Sequence, residues 1–271
     1  MMKRIVILSL VTLCSAISLS AQIKVVGHRG CRFNTPDQPE SPLFENTIAS
    51  LKFAQKTGID AVEFDVQLTA DEKVIVFHGK TVPGLNKNIQ TITFDQARAV
   101  VLPGGHRMPT LEEWFKQAKK CPDIPVIVEI KPQETSARET KLVELVFEAA
   151  RKMNMGKQLE FTTFSEWACA EIHRIDKDAK VLFLDSGVYV KTPEYCAEKG
   201  YNGISYDMNG FMNHPEYIER AKKLGIETTL WIVNDYEVVQ WAILHGIDCV
   251  SSDHPEMVKA YVDSVKPYIN K

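Results

Sequence analysis

The stretch Ala61-Val62-Glu63-Phe64-Asp65-Val66-Gln67 reads as a strand with two carboxylates set into it. Successive side chains of a strand alternate between its faces, so Glu63 and Asp65 point to one side and Val62, Phe64 and Val66 to the other. Runs this apolar suit a parallel sheet covered on both faces. Working outward, similar short runs occur at 24–27, 126–130, 159–162, 181–184, 203–206, 227–232 and 248–251. Between them lie helix-like segments at 46–56, 111–120, 139–153, 166–175, 193–199, 215–224, 236–245 and 255–265. These space their apolar residues by three and four, as in Leu142, Val143, Leu145, Val146 and Ala149. Thr110, Ser165 and Asp235 stand where helix N-caps are wanted. Strand and helix alternate throughout, which predicts an α/β fold of the (β/α)8 TIM-barrel type. An open doubly wound sheet is the competing architecture. Its dinucleotide-binding form is removed, because no Gly-x-Gly-x-x-Gly follows the first strand.

The 271 residues fit one such barrel, and no linker rich in Gly, Ser or Pro divides them. Two connections are long. Residues 31–44 contain Pro36, Pro39 and Pro42, and about 68–108 form an insertion after the second strand, with a short strand at 74–77 and a helix at 94–101. Hydrophobic residues at 45% and charged residues at 25% exclude a disordered or collagen-like chain. The net charge of −3 gives no drive toward a nucleic-acid backbone. Lys3 and Arg4, the apolar run 5–13 and the small residues 15–21 have the order of a secretory signal peptide, cleaved near Ala21-Gln22. That leaves residues 22–271 as one mature domain, secreted or periplasmic and without stable membrane insertion. A lipidated Cys14 is the alternative, disfavoured by the bulky Leu13 before it. Five cysteines remain after cleavage, an odd number with no C-x-x-C pair, so neither a disulfide framework nor a zinc site is expected.

A barrel places its chemistry where strands run into the following loops. Here those positions carry His28 and Arg29 between two glycines, Glu63 and Asp65, Glu129 and Lys131, His78 in the insertion, Trp231 and Asn234, and Asp253. Two carboxylates buried side by side need a positive neighbour. A hard divalent cation such as Mg²⁺ or Ca²⁺ suits their oxygens, and Glu129 could add a third. Pairing of Glu63 and Asp65 with Arg or Lys is the structural alternative. Arg29 and Lys131 suit an anionic phosphoryl group, and His28 can move a proton. Trp231, with Phe33 and Phe44 from the long loop, could wall off an apolar part of a substrate. His254 could line the mouth, whereas His106, His173, His214 and His245 carry no motif.

Seven segments in order resemble the glycerophosphodiester phosphodiesterase family, a TIM barrel of the phosphatidylinositol-phosphodiesterase kind. They are Val26-Gly27-His28-Arg29-Gly30, Glu45-Asn46-Thr47, Val62-Glu63-Phe64-Asp65-Val66, Val74-Ile75-Val76-Phe77-His78, Pro109-Thr110-Leu111-Glu112-Glu113, Val128-Glu129-Ile130-Lys131 and Trp231-Ile232-Val233-Asn234. The resemblance spans about residues 23–265. It implies one divalent metal ion on Glu63, Asp65 and Glu129, with Glu45 beside it as ligand or hydrogen-bonding partner. It also implies phosphate held by Arg29 and Lys131, and His28 and His78 as the acid–base pair. The implied reaction is attack of a glycerol hydroxyl on phosphorus, followed by opening of the cyclic phosphate by water to give glycerol 3-phosphate and an alcohol. The chain departs from the family's pattern at Gly79, where Asp usually follows the histidine, at 81–88, where an Arg-Thr-Thr stretch is missing, and at Phe44, where Pro is usual. These departures surround the substrate mouth. They leave two other readings open, a phospholipid or phosphoinositide phosphodiesterase and a non-catalytic barrel binding phosphate or glycerol. The oligomeric state is not legible.

Overall fold

The computed structural model describes residues 23–32 and 43–269. The expected signal peptide, Cys14 and Phe33 lie outside the described residues. In chain order the elements are β1 (Lys24–Gly27), α1 (Ile48–Lys56), β2 (Ala61–Leu68), β3 (Val74–Val76), β4 (Thr81–Val82), β5 (Lys87–Asn88), α2 (Phe94–Ala99), α3 (Leu111–Ala118), β6 (Val126–Ile130), α4 (Ser136–Lys152), β7 (Leu159–Thr163) and α5 (Glu166–Ile175). They continue with β8 (Val181–Asp185), α6 (Pro193–Glu198), β9 (Gly203–Asp207), α7 (Met208–Asn213), α8 (Glu216–Leu224), β10 (Glu227–Trp231), α9 (Tyr236–His245), β11 (Cys249–Ser252) and α10 (Pro255–Ile269). Strands β1, β2 and β6 to β11 are parallel neighbours in that order, and β1 pairs with both β11 and β2, which closes the cylinder. The insertion adds β3 antiparallel to β2 and a small β4–β5 hairpin.

Alternation along each strand sorts the side chains. Val62, Phe64, Val66 and Leu68 face outward into the main core, where Phe64 stacks on Trp114 of α3 at 4.7 Å between ring centres. The barrel interior is layered. Lys24, Glu160, Lys180 and Glu227 form ion pairs of 3.0–3.6 Å at one end. Above them lies a small cluster of Val26, Ala61 and Cys249 with Ile127 packed on it. His28, Arg29, Glu63, Glu129 and Lys131 occupy the opposite end, at the strands' C-termini. The insertion has its own core around Ile75, Phe77, Ile89 and Met108, and Phe44 packs there rather than on the barrel's cavity.

Several sequence expectations shift at their ends. The first helix begins at Ile48, not at 46, because Thr47 caps it and Asn46 takes a left-handed φ of 56°. The fourth begins three residues early, at Ser136, capped by Thr135. Thr110 and Ser165 cap as expected, while Asp235 occupies the N-cap without a side-chain hydrogen bond. The last helix runs on through Pro267 to Ile269 rather than stopping at 265. Helix α7 was not foreseen, being only six residues long, as were the two-residue strands β4 and β5.

Candidate active site

The loop after β1 turns within Gly27-His28-Arg29-Gly30. A Cβ on Gly27 would come within 2.4 Å of the Gly30 carbonyl oxygen, and one on Gly30 (φ 82°) within 2.6 Å of Ser50 Oγ. Only glycine fits either place. Arg29 between them also has positive φ, 51°. That turn aims its backbone N–H at Glu63 Oε2 (2.9 Å) and brings its guanidinium against Glu45 (3.0 Å) and Asp65 (3.3 Å).

Strand register does the rest. Asp65 on β2 stands level with Glu129 on β6, and Glu63 lies one inward step below Asp65. The nearest carboxylate oxygens of Glu63, Asp65 and Glu129 all lie within 4.8 Å of one another, and all three residues are buried. Lys131, two residues beyond Glu129, reaches back to Glu129 (2.7 Å) and toward Asp65 (3.5 Å). Asn46 binds Asp65 twice, donating Nδ2–H to Oδ2 (2.7 Å) and accepting the Asp65 backbone N–H (3.1 Å). Its left-handed backbone is the price of that clasp, and Asn tolerates it.

The three carboxylates do not share one charge state. Burial, then Asp65 and Glu129, pushes Glu63 well above the usual carboxylate range. Burial and Asp65 raise Glu129 to about 7, against the pull of Lys131. Burial works against Asp65 as well, but Lys131 and Arg29 overcome it and bring it down to about 2. Protons thus occupy ground that a cation would fill. Glu63 Oε1 and Asp65 Oδ1 are buried with no hydrogen-bond partner among the described residues. Converging hard oxygen donors with unsatisfied lone pairs fit a divalent metal ion of the Mg²⁺ or Ca²⁺ kind. Glu45 is not among the three; it pairs with Arg29 and Arg32 and lies 4.0 Å from His78.

The two imidazoles differ. His28 Nδ1 is 2.7 Å from Asp253 Oδ1. A carboxylate accepts, so Nδ1 carries the proton and Nε2 is left for the cavity. Asn234 fixes Asp253 in turn, donating to its other oxygen (3.1 Å) and accepting its backbone N–H (3.0 Å). Among the described residues, His78 has no such carboxylate on its ring at hydrogen-bond distance, Glu45 lying 4.0 Å away. Burial, together with Arg29 and Lys131, brings it down to about 4 despite the opposing pull of Asp65. Its backbone is held instead by buried Gln67, whose Nε2 donates to the carbonyls of Phe77, His78 and Gly79 at 2.9–3.1 Å. A Cβ at Gly79 would meet the Phe77 ring at 3.1 Å, so a side chain there requires the ring to give by a few tenths of an ångström.

Six of these groups open onto one cavity of about 160 Å³. His28, Arg29, Glu63, His78, Glu129 and Lys131 line one side, and Phe164, Leu182, Leu184, Trp231 and Ile232 line the other. Trp231 is fixed as a wall by its indole N–H, which donates to the Ser205 carbonyl at 3.0 Å, and by edge contact with Phe164.

The sequence model of the glycerophosphoryl diester phosphodiesterase family matches residues 28–257. The chain belongs to that family. It is an enzyme of the phosphoric diester hydrolase class. A glycerophosphodiester phosphodiesterase of Parabacteroides distasonis has 30% identity and a TM-score of 0.83, over 91% of this chain and 99% of the other. One from Caldanaerobacter subterraneus is 27% identical over 243 residues, 86% of this chain and 94% of that protein. A phosphodiesterase of Oleispira antarctica, solved with sn-glycerol-3-phosphate, shares the fold at 21% identity and a TM-score of 0.77, over 89% of this chain and 96% of the other.

Every residue singled out at the strand ends for this phosphodiesterase site falls in or beside the cavity. Phe44 and His254 do not line it. Asp253, Asn234, Asn46 and Gln67 were given no role by sequence, although the first two were placed at strand ends. Position alone could have nominated Asp253; nothing in the sequence pairs it with His28, 225 residues away. Among the described residues no helix is long and apolar enough to cross a membrane. Cys31, Cys121, Cys169, Cys196 and Cys249 are free thiols, four of them buried.

Proposed function

We propose that this phosphodiesterase cleaves glycerophosphodiesters to glycerol 3-phosphate and an alcohol, with one divalent cation held by Glu63, Asp65 and Glu129. The observation that carries the reading is the convergence of these carboxylates, Arg29, Lys131 and two histidines at a single cavity with an apolar wall. The bound ion would neutralise the carboxylates and polarise a phosphoryl oxygen. Arg29 and Lys131 supply charge-assisted hydrogen bonds to the phosphate once the substrate competes for them. Burial between two cations keeps the His78 imidazole neutral near neutral pH, which suits it to take the proton from the attacking glycerol hydroxyl. Asp253 holds the Nδ1 proton of His28 and turns Nε2 to the cavity, which suits Nε2 to exchange a proton with the departing alcohol oxygen. In the second step the roles reverse and water opens the cyclic phosphate.

The test is direct. Incubation with glycerophosphocholine and Mg²⁺ or Ca²⁺ releases glycerol 3-phosphate, and failure with every one of several headgroups would reject the substrate class. We also infer export, supported by Lys3, Arg4 and the apolar run behind them. Protein recovered from outside the cytoplasm is then expected to begin at Gln22, and a cytoplasmic chain beginning at Met1 would reject export.

A further inference from the structure

Lys131 is the first residue past the end of β6, and the sheet holds it through its backbone N–H, which donates to the Val66 carbonyl at 3.2 Å. Pro132 follows and has no N–H to give. A side chain with four methylenes does not place an ammonium by itself, so the backbone it hangs from must be fixed. Side chains from around the loop do this. Thr163 of β7 donates its hydroxyl to the Ile130 carbonyl (2.8 Å), and Gln133 Nε2 donates to the Lys131 carbonyl (2.8 Å). Gln90, from the insertion, donates to the Pro132 carbonyl (3.4 Å) and accepts the Glu134 N–H (3.2 Å).

Gln133 is held in turn. Its backbone N–H donates to Glu139 Oε1 (3.2 Å), and its Oε1 accepts the N–H of Leu68, the last residue of β2 (3.3 Å). Glu139 is buried, and its other carboxylate oxygen accepts the Ser165 hydroxyl. Ser165 follows Phe164, a residue of the cavity's apolar side, and its own N–H donates to Thr163 Oγ1 (3.1 Å). Burying a carboxylate is costly unless its oxygens are satisfied. The start of α4 does not call for one there, since Thr135 already caps it. The bonds of Glu139 go instead to the two loops that carry Lys131 and Phe164. Gln90, Gln133, Glu139 and Ser165 themselves do not line the cavity.

We propose that Gln133, Gln90 and Glu139 are positioning residues for Lys131, fixing the backbone from which its ammonium reaches the substrate's phosphate; this rests on the diester-cleaving reading above, in which Lys131 meets that phosphate. In the structure the ammonium lies on Glu129 (2.7 Å) and near Asp65 (3.5 Å). Binding a phosphate means giving up part of those contacts. With its backbone held, the side chain exchanges one anion for another by bond rotation alone. With the backbone loose, the loop must also be ordered in each complex, and that ordering is taken from the binding energy. The loss falls alike on substrate and on the phosphate-bearing product, hence on KM more than on kcat. Through Gln90 the insertion thereby acts on the phosphate end of the site as well as on His78.

The experiment is a double-variant cycle in the presence of Mg²⁺, read by turnover of glycerophosphocholine and by calorimetric binding of glycerol 3-phosphate. Gln133→Met keeps the length of a half-buried loop side chain and removes its hydrogen bonds. It should raise KM and the Kd of glycerol 3-phosphate roughly five- to tenfold, with kcat within about twofold. Gln90→Met should follow it. Lys131→Met should weaken binding further, and adding Gln133→Met to it should cost nothing more, because the residue being positioned is gone. Glu139→Gln can still accept the Gln133 N–H and meet Ser165, so it should stay near wild-type Kd while Glu139→Leu follows Gln133→Met. Equal values for those two take Glu139 out of the assignment. Gln133→Met at wild-type Kd, or losses that multiply in the double variant, overturn the inference and leave Lys131 as a phosphate contact. Lys131→Met at wild-type KM and Kd overturns it by rejecting that contact. If wild type does not hydrolyse glycerophosphocholine, the diester reading falls and the same cycle is decided in Kd alone. A wild type that does not bind glycerol 3-phosphate overturns both.

Discussion

The two halves of the barrel mouth are built from the same strand positions and have opposite chemistry. On β1, β2 and β6 the inward residues near the C-terminal ends are His28, Glu63, Asp65, Glu129 and Lys131; on β7 to β10 they are Thr162, Leu182, Leu184, Ser205, Thr229 and Trp231. The charged half is costly by itself. Its carboxylates lie too close to ionise together without help, and Glu63 and Glu129 keep protons that exposed glutamates lose. The apolar half costs nothing to build but carries no reactivity. Placed face to face, and on the function proposed above, they would hold a phosphate in a polar, water-poor site while the organic part of the substrate rests on hydrocarbon. In that environment electrostatic contacts count for more than they do in water.

The largest effect should come from breaking the charged half. Glu63→Gln removes one negative donor from the cluster and should lower kcat on glycerophosphocholine by about a thousandfold or more, as several kcal/mol of charge stabilisation disappear. Chelation of wild type should match it, and added Mg²⁺ or Ca²⁺ should restore only the wild type. A Glu63→Gln enzyme within tenfold of wild type would end the cation assignment. His28→Ala should cost about a hundredfold or more with the cation's affinity unchanged, which separates proton transfer from metal binding. Equilibrium metal titration alongside turnover makes the distinction.

The apolar half should give smaller numbers of another kind. Trp231→Ala deletes the wall and should raise KM roughly tenfold while kcat moves little, since contacts made equally in ground and transition states act on binding. An equal fall in kcat would show that Trp231 also orients the reacting hydroxyl.

A stability measurement sharpens the same contrast. In the metal-free protein Glu129 titrates near 7 rather than at 4.5, chiefly because burial and Asp65 disfavour its charge. The folded chain therefore holds a proton that the unfolded chain has released, and stability falls as pH rises from about 4.5 through about 7. Glu63 acts in the same direction. Asp65, held near 2, has its window below this range. A divalent cation replaces those protons, so the rise in Tm on adding Ca²⁺ should grow between pH 5 and pH 8, by on the order of 5 °C. A rise independent of pH, seen by calorimetry at several pH values, would mean the ion binds elsewhere.

Much of the fold was legible because periodicity is local: strand, helix and strand recur with apolar spacing that any window of the sequence displays. The carboxylate pair was legible for the same reason, as alternation on one strand put Glu63 and Asp65 on one face. What was hidden depended on distant pairing. Asn46 read as the start of a helix, yet Asp65 pulls it out of helical geometry across 19 positions. Phe44 read as a wall of the mouth, and the insertion's own core claimed it.

Gln67 supplies the smallest test and bears on the join between the charged half and the insertion. Its carboxamide donates to three successive carbonyls around His78, and it does so from the strand that carries Glu63 and Asp65. Carboxylate cluster and imidazole are thus referenced to one piece of backbone. Gln67→Leu keeps the size of the side chain but leaves those carbonyls without their donor, at a cost of about 1–3 kcal/mol for each one that water cannot reach. His78 should then wander by a fraction of its reach, so kcat should fall about three- to tenfold with metal affinity and KM nearly constant. If Gln67→Leu altered metal affinity and left kcat intact, the clamp would belong to β2 and the His78 loop would be held by other means.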